Sequence, residues 1–95
     1  MEKPWKFTTD THSNDFCREI AAEMVWLFGI TEDEAIGRIN RGWGYLNEFH
    51  SIAYHELAEY WAHHMYFGHD SYWWIRDETA RKRLRLGSVE PLPYP

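Results

Sequence analysis

Only one of the 95 residues is a cysteine, Cys17. No internal disulfide can form, and such a count fits a reducing compartment. No apolar run approaches the roughly 18 residues that a membrane-spanning helix needs. The opening residues, 1–10, hold no apolar stretch of the kind a secretion signal requires. A cytoplasmic protein is therefore expected. Positive charge is also scarce: ten Lys and Arg stand against fifteen Asp and Glu, a net of −5. That balance argues against a general affinity for nucleic acid or anionic membranes. The six glycines form neither a phosphate-binding loop nor a dinucleotide fingerprint. There is no internal repeat and no low-complexity block. Nothing places a Ser or Cys beside a histidine at a spacing that suggests nucleophilic catalysis, so no catalytic residue is assigned.

Bulky rings, in contrast, are abundant. Aromatic residues make up 18% of the chain and include six Trp. Disorder goes with few aromatics and low hydrophobicity, so a folded chain is expected. The apolar spacing gives a mainly α fold, a small single-domain bundle of about four short helices spanning residues 13–87. Residues 1–12 read as a tail or short extended segment, and residues 88–95 as a proline-rich tail.

Ser13, Asn14 and Asp15 can start a first helix whose positions Phe16, Ile20, Met24 and Leu27 share a face, and Gly29 can end it. Thr31 and Glu34 form a T-x-x-E capping box for a second helix bearing Ala35, Ile36, Ile39 and Trp43. Gly42 and Gly44 each weaken a helix by about 1 kcal/mol, which places its end near Arg41. A third helix is expected from Tyr54 to Phe67, with Leu57, Trp61 and Met65 on its core face. Residues 72–75, Tyr-Trp-Trp-Ile, read as a short extended aromatic segment. Asp77 can cap a last helix, residues 78–86.

Four constellations could carry function. The first is the run from His55 to His64. A zinc peptidase needs H-E-x-x-H, and Glu59 stands where the second histidine should be, so that motif is absent. His55, Glu59 and His63 remain at i, i+4, i+8 spacing, a row that two adjacent members could turn into a site for a divalent metal such as zinc. His50, His69 or Asp70 could add a ligand. The structural alternative is a polar stripe facing water. The second is Cys17, one turn inside a helix start, where a thiol can be activated; beside Phe16 and Ile20 it reads instead as a small core residue.

The third is the order helix, Gly29, Thr31 cap, helix, which is similar to a helix-turn-helix over about 21 residues. A recognition helix meets bases with its first turn, and here that turn is Glu32, Asp33 and Glu34, which phosphates repel. The same order serves a plain helical hairpin. Any nucleic-acid contact would fall to Arg81, Lys82, Arg83 and Arg85. These lie in residues 76–86, a block with five basic and two acidic side chains, whereas residues 1–75 hold five and twelve.

The fourth is the aromatic surplus. A domain this small encloses few large side chains, and Trp26, Tyr72, Trp73 and Trp74 fall outside the expected core. Exposed Trp and Tyr anchor interfaces because they bury much area at little entropic cost. Satellite packing under loops is the plainer alternative. The leading expectation is a non-catalytic protein–protein interaction module, needing no cofactor, that binds a protein partner or itself. By likeness of class alone this includes immunity or antitoxin proteins, where an acidic face meets a basic enzyme. A metal-binding protein or metal-dependent hydrolase using His55, Glu59 and His63 comes second, and a helix-turn-helix DNA binder third.

Overall fold

The first helix begins with reciprocal hydrogen bonds. The Asp10 carboxylate accepts from the Ser13 backbone N–H at 2.8 Å, and the Ser13 hydroxyl accepts from the Asp10 N–H at 2.9 Å. Ser13 is thus the inner member of a capping box, and α1 runs Thr11–Phe28, two residues earlier than its Ser-Asn-Asp signal suggests. Gly29 closes it in the left-handed region, φ 67°, with its N–H on the Val25 carbonyl. The computed structural model describes residues 4–94. Three further helices follow: α2 (Glu32–Trp43), α3 (Ala58–Phe67) and α4 (Glu78–Arg83). Two 3₁₀ turns, Ser51–His55 and His69–Ser71, complete a mainly helical single domain with no strand among the described residues. None of these helices is long and apolar enough to cross a membrane.

The core is the face of α1 formed by Cys17, Ile20, Ala21 and Met24, packed against α2 and α3. Ala35 and Ala62, both fully buried, let the helix backbones approach closely. Ile20, Met24 and Ile39 are sealed, each contributing about 1.5–3 kcal/mol by leaving water. Two residues expected inside are not. Leu57 is 76% exposed, and Leu27 lies at the surface. Their places are taken by Trp5, Phe7 and Trp43. Residues 4–9 lie against the bundle with a bend at Lys6 and Phe7, burying Trp5 and Phe7 and exposing Lys6 and Thr8. Asn40 fixes it, accepting from the Lys6 N–H and donating to the Pro4 carbonyl, both at 2.9 Å. Thr8 N–H donates to the Asn47 carbonyl and Phe49 N–H to that of Thr8.

Two helix boundaries differ from the sequence reading. α2 does not stop near Arg41 but continues to Trp43, where Gly44 caps it, and Gly42 meets α3 closely: a Cβ there would lie 2.4 Å from the Met65 sulfur. Residues 54–57 are outside α3. The chain makes a 3₁₀ turn and Glu56 is extended, φ −120°. The Ala53 carbonyl thereby accepts the Trp61 indole N–H at 2.7 Å. At the other end, Leu92 N–H donates to the Tyr66 carbonyl, and the Tyr94 ring covers the guanidinium groups of Arg38 and Arg41.

Two predictions follow from this packing. Burial pushes the Cys17 thiol up from 9.0 to about 12. A group held neutral in the fold that ionises when unfolded contributes stability below pH 9 and loses it between pH 9 and 12. Urea unfolding of wild type and Cys17→Ala across that window should show the steeper alkaline decline in wild type, and iodoacetamide at pH 8 should label Cys17 only after denaturation. Gly42→Ala should give less than the roughly 1 kcal/mol gain that an open helical glycine would show, since the flexible end of Met65 must shift to admit the methyl; thermal unfolding reads the difference.

Candidate functional site: the aromatic loop between α3 and α4

The chain leaves α3 at Gly68, whose φ of 90° suits glycine. Ser71 then donates its hydroxyl to the Gly68 carbonyl at 2.7 Å. Tyr72 is left-handed, φ 50°, a rare backbone state for so bulky a residue. The Ile75 N–H closes onto the Tyr72 carbonyl at 3.0 Å. Residues 72–75 are therefore a turn, and the extended aromatic segment expected there is not formed. The turn sorts the rings. Trp73 folds inward, stacked on His63 at 4.8 Å and edge-on to Tyr60 at 5.7 Å. Tyr72 and Trp74 face outward, packed on each other at 5.3 Å and 45% and 48% exposed.

A single side chain from α4 braces this turn. Asp77 caps α4 through the Thr79 N–H at 2.8 Å, and one turn later Arg81 points back under the loop. Arg81 is only 6% exposed. Its Nε donates to the Gly87 carbonyl at 2.6 Å and its Nη1 to the carbonyls of Tyr72 and Ile75 at 2.9 and 3.0 Å. Nη2 donates to the Ser71 carbonyl at 2.8 Å. The planar fork of the guanidinium is what lets one residue hold four carbonyls. Arg81 is thus fully engaged within the chain, a correction to its sequence-based standing as a nucleic-acid contact; Lys82, Arg83 and Arg85 are exposed. The loop carries costs of its own. A left-handed aromatic residue stores about 1–3 kcal/mol, and the buried Trp73 indole N–H has no acceptor among the described residues, which costs a similar amount.

The other sequence candidates lie elsewhere. His55 ends the 3₁₀ turn before α3, so His55, Glu59 and His63 do not form a row on one helix. The His63 Nδ1–H donates to the Glu59 carbonyl at 2.8 Å, and the ring meets Phe28 edge-on. Among the described residues no three His, Cys, Asp or Glu side chains come together to hold a metal. Trp26, 83% exposed, sits on α1 with no ring against it among the described residues. The α1–α2 hairpin exposes Glu32 and Asp33, while Glu34 pairs with the buried Arg38 at 2.8 Å. A separate recess of about 250 Å³ between α2 and the end of α3 is lined by Arg38, Arg41, His64 and His69 among others. Burial, with His69 alongside, holds the His64 imidazole below the usual histidine range.

Compared with known protein families, curated proteins and solved structures, the chain matches none. Two participants depart from the sequence reading: Arg81 belongs there to a basic run and Leu57 to a core face. The Asp77 cap four residues ahead of Arg81 fixes where α4 begins but not which of its basic side chains turns inward.

Replacing Arg81 should therefore release the loop. Arg81→Leu is expected to lose about 2–4 kcal/mol and to leave Ser71 and Ile75 carbonyls unpaired. Arg81→Lys should restore little, because an ammonium cannot span the fork. Amide hydrogen exchange over residues 71–76 would rise in both variants while the α1 core stayed protected.

Proposed function

We propose that this protein is a non-catalytic interaction module that binds a protein partner through the aromatic loop. The reading rests on one observation: a loop that costs stability is braced by a buried arginine while it leaves Tyr72 and Trp74 in solvent. Strained backbone and an orphaned N–H are uncommon where a chain serves stability alone, and they concentrate at functional positions. The exposed rings are the residue types that dominate binding energy at interfaces. Leu57, just across Trp73, extends the apolar surface beside them. Trp26 belongs to a second exposed apolar run, Val25–Leu27, on α1. It forms a separate, smaller patch in this reading.

Trp74→Ala is the direct test. Tagged wild-type and variant chains would be used to capture partners from extract of the native cell, with circular dichroism as the fold control. The expected result is a partner, or a second copy, retained by wild type and reduced at least tenfold by Trp74→Ala at unchanged helicity. Capture indifferent to Trp74, or loss of the fold on its removal, would overturn the reading.

A further inference from the structure

Beside the loop, the first turns of α3 and the inward face of Trp73 enclose an open groove of about 330 Å³. Its lining is Glu56, Leu57, Glu59, Tyr60, His63 and Trp73. That is the small end of the roughly 300–1,000 Å³ range of small-molecule pockets, and the groove lies open to solvent, so it suits one long side chain better than an enclosed cofactor. Its chemistry is specific in two respects. Tyr60 and Trp73 stand edge to face at 60° and make an aromatic corner, and the negative faces of such rings attract cations. Two carboxylates, Glu56 and Glu59, share the groove, and neither has an ion-pair partner among the described residues, where the one ion pair is Arg38–Glu34. The groove carries no Lys or Arg. His63 turns its Nδ1–H to a carbonyl, so in its neutral form the remaining ring nitrogen is an acceptor.

Resting on the binding role proposed for the loop, we infer that this groove receives the lysine or arginine side chain of a basic partner. The aliphatic stem of such a residue would lie along Leu57 and the Trp73 ring, with its charged head over Tyr60 between the two carboxylates. Long cationic side chains pack in this way, stem on apolar surface and head on polar groups. The net charge of −5 favours the same partner over an acidic one and speeds the encounter.

The test uses the full chain and small probes of known chemistry. Nα-acetyl-arginine amide and Nα-acetyl-lysine amide would be titrated against ¹⁵N-labelled protein, with the isosteric, uncharged Nα-acetyl-citrulline amide as control. Saturable shifts confined to Glu59, Tyr60, His63 and Trp73 are expected for the two cations and not for citrulline. Glu56→Gln with Glu59→Gln should weaken them about fivefold while shifts elsewhere stay native. Absence of saturable shifts, equal shifts with citrulline, or indifference to the two glutamines would overturn the inference. Those outcomes leave the binding role of the loop intact if Trp74→Ala still abolishes capture, so the two readings fail separately.

Discussion

The sealed face of α1 is the constraint on which everything else is hung. Cys17, Ile20, Ala21 and Met24 are the surface on which α2 and α3 meet, and the closeness of those contacts comes from small residues opposite them. Ala35 and Ala62 on the facing helices, and Gly42 against Met65, let three short helices approach with few bulky side chains between them. A core made this way is tight but holds little volume. Ile20, Met24 and Ile39 are the large apolar side chains it seals completely.

That limit explains where the rings go. Trp5 and Phe7 fill the open side of the bundle from the segment before α1, and Trp43 joins them from the end of α2. Phe16, Phe49 and Tyr54 form a half-buried layer of edge-to-face and tilted contacts beside the 3₁₀ turn, with centroids 5.0–6.1 Å apart, while Trp61 packs edge-on to Trp43 at 5.2 Å. Pairs of this geometry contribute beyond their buried area, so much of the surplus is indeed satellite packing. The rings left over are Trp26, Tyr45, Tyr72 and Trp74. Of these, Tyr72 and Trp74 stand on backbone that the chain has gone to some lengths to hold in place.

How much of this could be read in advance depends on whether a feature was decided locally. The caps at Thr31 and Asp77, the glycine stop at residue 29 and the buried stripe of α1 are set by neighbours a few residues away, and each was legible. The helical count followed from them, and Trp26, Tyr72 and Trp74 are exposed as expected, whereas Trp73 turns inward and Tyr45 is exposed without a sequence signal. What escaped was decided at a distance. The 3₁₀ turn before α3 exists because Ala53 receives an indole N–H eight residues on, which no helical periodicity reveals, and with the turn went the metal row of His55, Glu59 and His63. α2 runs past Gly42, which lies against Met65, and stops at Gly44. Trp5 and Phe7 alternate with Lys6 and Thr8, a two-residue period that was present in the sequence but too short to outweigh the appearance of a tail. Arg81 is the hardest case, since a basic residue among other basic residues gives no sign that it turns inward.

The brace beneath Tyr72 and Trp74 has a kinetic corollary. A loop tethered at three of its carbonyls arrives at every collision already shaped, so no ordering step stands between contact and complex. Docking should then proceed at the ordinary pace of rigid patches, on the order of 10⁵–10⁷ M⁻¹s⁻¹, and partners would be told apart by how long they stay rather than how quickly they land.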